Sequence, residues 1–426
     1  MLKYHLVIQM EKNIKKGQIY YIIEATLEYF ISIMVAGSFL ATLTKDLGFS
    51  DSLTGILSSV ISLGCVFQLF SIFIRKRKVK KFVIAMSVVN QLLFMLLYII
   101  PFFAAKSTYK ITFFFLIIIL SYLIYYVAHP KKTGWQMSLV EDSKRGSFTA
   151  NKEIVSLITG IFFNLAMGAI VDHFIEKNQI KTAFLISAAV IFLCMLLHTF
   201  FMIFTPETIE NTNNKNSFIK SVKNLFKNNE LLKVTALLVM YNVVVGMTTP
   251  FYGTYLISEL GFSLKFVAMI TIGSSIVRIF VSKFWGRYAD KKSFAQLIEK
   301  CLLVLSLALM CVVFATPSTG SVTFAFYYIF HGIAMGGINS ALFNLVFDTV
   351  KNEERSDALA INQAISGVAA FVTTLIASPV LTLIQENGNK IFGVTVYAQQ
   401  LFSFVGLLII AGAIIFVRFS LIKKKA

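Results

Sequence analysis

The run TFFFLIIILSYLIYYVA, from Thr112 to Ala128, carries no charge, no glycine and no proline, and its reading decides the fold. Within the apolar segment 112–139 it is long enough to cross lipid, which takes about 20 apolar residues in a helix. Working outward, comparable segments occupy 17–43, 52–74, 82–104, 152–174 and 182–204, then 232–257, 264–285, 294–316, 321–345, 358–383 and 397–420. Twelve such spans need roughly 240 positions, a little over half of the 426 residues. The composition agrees: 57% apolar and only 14% charged, with a mean hydropathy of +0.76, against about a quarter charged in soluble domains. Six prolines and 23 glycines, with long runs free of both, argue against a transmembrane barrel of alternating strands. The expectation is an all-α integral membrane protein of twelve transmembrane helices.

In a soluble chain the net charge of +18 would suggest nucleic acid. Here it sets orientation instead. With both termini cytoplasmic, Arg75 to Lys78, Lys80, Lys81, Lys144, Arg145, the lysines of 205–231, Lys291, Lys292 and Lys423 to Lys425 all fall inside. The outer loops keep Lys45, Lys106, Lys110, Lys177, Lys181, Lys265 and Lys390, seven of 39 basic residues, as the positive-inside rule requires. The expected location is the cell membrane, with lipid as the partner and no nucleic acid. The first eighteen residues lack an apolar core followed by a small-residue cleavage site and read as a cytoplasmic tail. Cys65, Cys194, Cys301 and Cys311 lie inside spans as small apolar fillers. The five histidines are scattered without ligand spacing, so no disulfide, metal or cofactor is indicated.

Asn211 to Glu230 is rich in Asn and Lys, the composition of a solvated linker. It divides the chain into 1–204, a linker 205–231, and 232–426, with six spans in each half. The halves echo one another. Asp46-Leu47-Gly48-Phe49-Ser50 recurs as Glu259-Leu260-Gly261-Phe262-Ser263, an offset of 213 residues, and Leu139-Val140-Glu141-Asp142 with Arg145 recurs as Leu345-Val346-Phe347-Asp348 with Arg355. Asn151 and Asn362 follow in turn. A duplicated, pseudo-symmetric pair of bundles places a solute site near midplane between them and makes rocking the natural motion.

With these residues in place the chain resembles the major facilitator superfamily over essentially its whole length. Gly286-Arg287-Tyr288-Ala289-Asp290-Lys291-Lys292, between spans 8 and 9, is similar to that family's cytoplasmic loop motif of glycine, acid and basic residues. Glycine permits close helix approach, and an acid beside a helix N-terminus gains from the macrodipole. Gly286, Arg287 and Asp290 are therefore expected to form a gate. The matching first-half loop, Phe73 to Lys78, has neither the glycine nor the acid. The resemblance also implies that spans 1, 4, 7 and 10 line the cavity while 3, 6, 9 and 12 face lipid or brace the bundles. Most of the 16 tyrosines fall in the four lining spans, where wet surroundings supply hydroxyl partners. Tyr29, Tyr126 and Tyr241 are expected to contact solute.

Glu24 and Glu28 are the two acids that stand deep inside a span, four residues apart on one face of span 1. A charge at the bilayer centre costs on the order of 2.5–3.5 kcal/mol on insertion scales, so such acids mark ion paths or proton relays. Glu28, near midplane, is expected to couple protons or touch solute; Glu24 joins it or forms a solvated wall. Arg278 in span 8 is expected to pair with a carboxylate, facing Glu28, or with solute. Lys131 and Lys132 follow Pro130 and either attract an anionic group or snorkel to the interface, the second reading being preferred. His331, Asn242 and Asn339 offer further polar contacts. Pro250, and Gly37 at the same 213-residue offset, soften the outer parts of spans 7 and 1 and suit an outer gate.

The expectation is a monomeric secondary transporter of a small polar or amphipathic solute, coupled to protons. A multidrug/proton antiporter and a non-transporting sensor in the same fold are its alternatives. No Gly-x-x-x-x-Gly-Lys-Ser/Thr loop for nucleotide occurs. No nucleophile with its base gathers as an enzyme would need.

Overall fold

The computed structural model describes residues 2–49, 64–74, 79–104, 106–207, 223, 226–262, 264–391 and 393–422. Residues 50–63 of the second expected span, Arg75 to Lys78, most of the linker and Lys423 to Lys425 lie outside the described residues. The helices are α1 (Leu2–Met34), α2 (Gly37–Asp46), α3 (Lys80–Leu97), α4 (Ser107–Met137), α5 (Arg145–Glu176) and α6 (Ile180–Phe204), followed by α7 (Asn229–Thr254), α8 (Leu264–Lys291), α9 (Phe294–Val313), α10 (Gly320–Thr349), α11 (Arg355–Glu386) and α12 (Ala398–Phe416). Among the described residues, ten helices are long and apolar enough to cross a membrane. A 3₁₀ segment covers Gly64–Phe73, and a two-residue antiparallel hairpin pairs Lys390–Ile391 with Val394–Thr395.

The expected span 17–43 is not one rod. Ala36 is extended, with φ −138° and ψ 174°, so the chain leaves α1 after Met34 and re-enters a helix at Gly37. A break strands carbonyls that lipid cannot satisfy. Tyr98 of α3 supplies the missing donor, its hydroxyl reaching the Met34 carbonyl at 2.5 Å. In α7 the helix runs through Pro250, and the Gly246 carbonyl that its missing N–H leaves free accepts from the Thr374 hydroxyl of α11 at 2.7 Å; further on the helix widens into a π turn over Tyr255–Glu259.

The chain falls into two compact units, Met1–Glu141 with Ile154–Lys215, and Asp142–Glu153 with Asn216–Ala426. In the first, α1 packs on α6, α3 on both α4 and α6, and α4 on Gly64–Phe73. In the second, α7 packs on α12, α9 on both α10 and α12, and α10 on α8. A shift of six spans maps the one set onto the other. The α7–α11 contact has its counterpart in α1–α5, where Phe30 stacks on Phe163 at 4.3 Å and Thr26 meets Ser156 at 3.2 Å. The echoed loops also fold alike: Gly48 and Gly261 both take left-handed backbone, φ 83° and 71°, where glycine ends a helix without a Cβ penalty. The repetition written in the sequence is thus carried into packing.

Within the first unit the core gathers Met34, Leu43, Leu97, Ile118, Phe184 and Ile191. In the second, one cluster joins Met247, Phe251, Ala377 and Phe402. Large apolar side chains such as Phe162, Leu165, Phe280 and Phe284 are exposed along α5 and α8, as befits helices with lipid for solvent.

Candidate functional site

Two sets of charged side chains stand out, each within one unit. The first is built on helical spacing. Glu24 and Glu28 lie one turn apart on α1, and Lys132 and Gln136 repeat that spacing on α4. Lys132 Nζ donates to Glu28 Oε2 at 2.7 Å and stands 3.4 Å from Glu24 Oε2. The Gln136 amide donates to Glu24 Oε1. From α6, His198 Nε2 lies 3.2 Å from Glu24 Oε2 and 3.1 Å from Lys132 Nζ. From α3, Gln91 Nε2 lies 3.2 Å from His198 Nδ1.

The cluster is dry at its centre and wet at one edge. Glu24 and His198 side chains are fully buried and Lys132 is 6% exposed, whereas Glu28 retains 28%. Glu28 and Lys132 border a cleft with Ser87, Asn90, Tyr125 and His129, a polar lining with room for about one water. Asn90 also sutures α3 to α4, donating to the Ser121 carbonyl at 2.8 Å. Counted with both acids ionised and the ring neutral, two carboxylates of this set face its one lysine, and a buried charge without compensation is costly.

This arrangement corrects two expectations. Lys132 does not snorkel: its ammonium turns inward to Glu28, because a carboxylate at 2.7 Å competes successfully with water at the interface. The carboxylate that Arg278 takes is not in this set: its guanidinium pairs with Glu153 of α5, both within the second unit, and Glu153, 10% exposed, was missed by a reading that placed it at a span edge.

The second set gathers where α5 begins. Arg145 donates to Asp348 Oδ1 at 2.5 Å and Arg355 to Asp142 at 3.0 Å. These are the echoed acid and base of the two repeats, and each base takes the other copy's acid. The start of α5 is capped from α8: Asp290 accepts from the backbone N–H of Gly146 at 2.8 Å and of Ser147 at 2.9 Å, satisfying orphan donors at the positive end of the helix. Small residues allow the approach. A Cβ on Gly286 would lie 2.7 Å from both Ala150 Cβ and the Gly146 carbonyl oxygen. Arg287 is exposed.

The remaining expected contacts each have surroundings within their own unit. Tyr29 packs its ring over Gly160 and Tyr126 over Gly64. Tyr241 is buried with its hydroxyl 3.4 Å from Met335 sulfur, Asn242 donates to its own helix at Leu238, and His331 stacks on Tyr327. Asn339 is exposed on α10. Gly37 opens α2 and Pro250 lies inside α7. The residues that sequence reasoning passed over are His198, Gln91 and Gln136. His198 had one signal, a titratable ring in an uninterrupted apolar run, and the resemblance assigned its helix to bracing; the ring points into the unit instead, with no exposed area.

The family model described as Major Facilitator Superfamily matches residues 25–374 and 244–425. Among solved structures, the chain is similar to the E. coli fucose:proton symporter FucP, at 13% identity and a TM-score of 0.69, over 95% of this chain and 97% of that one. It is similar to a bacterial homologue of the iron transporter ferroportin at 10% identity and 0.67, over 95% and 98%. The human organic anion transporter MFSD10 follows at 10% and 0.66, over 96% and 99%. No curated protein matches it in a sequence search.

Proposed function

Because this chain belongs to the Major Facilitator Superfamily and is a multi-pass membrane transporter in fold, we propose that it is a secondary transporter that couples a small polar or amphipathic solute to protons by alternating access. One observation carries the reading: a membrane-embedded set of two carboxylates, one lysine and one histidine that needs one more proton to be neutral. Intramembrane acids cost too much to persist without a task or a full set of partners, and this set is one charge short. Glu28 is its outlet, since it alone of the four keeps appreciable exposure and borders the cleft.

In this reading the beginning of α5 is the cytoplasmic gate. Asp290 and Gly286 hold it closed through backbone donors and close packing, and the crossed Arg145–Asp348 and Arg355–Asp142 pairs lock it until the cycle breaks them. The helix break at Gly37 and the proline at Pro250 serve as outer soft points. Tyr29, Tyr126 and Asn339 retain enough exposed surface to touch solute.

Proteoliposomes holding a pH-sensitive dye test the coupling. Monosaccharides, organic anions and lipophilic cations are added in turn, and at least one class is expected to drive proton movement through the wild type. Glu28→Gln is expected to abolish that proton movement while solute exchange continues. Solute uptake that ignores the pH gradient in the wild type, or proton movement equal in Glu28→Gln, overturns the reading.

A further inference from the structure

His198 sits among neighbours that a neutral ring cannot all satisfy. Donors face both of its nitrogens, Lys132 Nζ at Nε2 and Gln91 Nε2 at Nδ1, at 3.1 and 3.2 Å, and a neutral imidazole has only one acceptor nitrogen. Two buried acceptors beside it meanwhile have no hydrogen-bond partner: Glu24 Oε2 and Gln91 Oε1. Glu24 is fully buried and Gln91 2% exposed, so water does not make up the loss, and an unmade hydrogen bond at such a site is expensive.

Two changes together answer it. Turning the Gln91 amide end for end places its oxygen at Nδ1, where it accepts from Nδ1–H. A proton then added at Nε2 points at Glu24 Oε2, 3.2 Å away. Both orphan acceptors are filled, Lys132 keeps Glu28 at 2.7 Å, and two positive charges balance two negative. Without that proton, Nε2 accepts from Lys132 instead. The ring therefore has two arrangements that differ by one proton and by which neighbour holds Nε2, and only the protonated one gives Glu24 Oε2 a donor.

We propose that His198, held between Glu24 and Gln91, is where the coupling site stores its proton, as an imidazolium. This rests on the proton-coupled reading above and moves the proton from Glu28 to a residue one layer deeper. The proton comes from solvent: one N–H bond forms at Nε2, and the hydronium that delivers it becomes water. Facing groups from every packed helix are Tyr21, Glu24 and Glu28 of α1, Tyr125, His129, Lys132 and Gln136 of α4, and Gln91 of α3. His129 is the rival base, because it lines the cleft beside Glu28.

The test is nitrogen-15 NMR on the full chain in lipid nanodiscs, with labelled histidine, scanned from acid to alkaline pH. His198 is identified by the signal lost in His198→Gln and, should that variant not fold, by a chain in which His5, His129, His173 and His331 are replaced. The expected result is a His198 ring with both nitrogens protonated in acid and one in alkali, and at least tenfold weaker proton uptake in Glu24→Gln. A His198 that keeps one neutral form throughout, or a titration carried by His129 alone, overturns it. The two readings fail separately: a silent His198 with solute-driven proton flux intact removes this proposal only, while a titrating His198 beside pH-indifferent uptake removes the coupling and leaves the imidazolium.

Discussion

The charge cluster of the first unit and the ion pairs at the start of α5 use the same kinds of residue to opposite ends. In the cluster, Glu24 and His198 have no exposure and the acids outnumber the fixed cation. At the start of α5, Arg145 and Arg355, only 3% and 9% exposed, meet Asp348 and Asp142 one for one, and the acids are 42% and 62% exposed. A balanced pair adds no net charge to its site, and its water-facing acid is open to screening by salt. An unbalanced, dry set cannot part without leaving a charge in lipid, so on the proposed reading it responds by changing its protonation. On that reading burial and charge count, rather than residue type, separate a latch from a proton site.

The largest effect is expected where the cluster loses its cation. Lys132→Ala leaves two carboxylates uncompensated and should cost about 3–5 kcal/mol, the range for breaking a buried pair from one side. Unfolding in detergent reads it, and adding Glu24→Gln and Glu28→Gln to the same chain should recover most of the loss. Wild-type stability in Lys132→Ala would erase the contrast between the two sets. Next comes Gly286→Val, which drives methyl groups into Ala150 and the Gly146 carbonyl and should cost about 1–3 kcal/mol by overpacking. An unchanged unfolding midpoint would mean that α8 does not press on the start of α5. The smallest effect belongs to the pairs whose acids alone reach water: a double-mutant cycle on Arg145 and Asp348 should give about 1 kcal/mol of coupling. That coupling should shrink as salt rises from about 0.1 M to about 1 M. A value that ignores salt would place the pair with the buried cluster.

Much of this was readable before any coordinates. The apolar runs marked helices of membrane-crossing length, the 213-residue echo has a counterpart in helix contacts that repeat between the two units, and Glu24 and Glu28 drew attention because an acid in a lipid-length run has few reasons to be there. Asp290 was legible too, since a glycine four residues earlier marks a close approach. The break at Ala36 was not legible, because the residues around it have the hydropathy of a continuous helix and only the Tyr98 hydroxyl makes the interruption tolerable. That Arg278 takes Glu153 as its carboxylate was not legible for a similar reason: a span assignment gives depth but not the direction in which a long side chain reaches.

What the sequence determined by itself is therefore one-dimensional: which segments are apolar, how they repeat, and which of them carry a charge that lipid would reject. What only the tertiary structure decided is partnership. Lys132, His198 and Gln91 come from three helices far apart in the chain, and nothing in their local patterns says that they share two carboxylates. Hydrophobic periodicity is a property of neighbours along the chain, whereas charge neutrality and hydrogen-bond satisfaction are properties of neighbours in space.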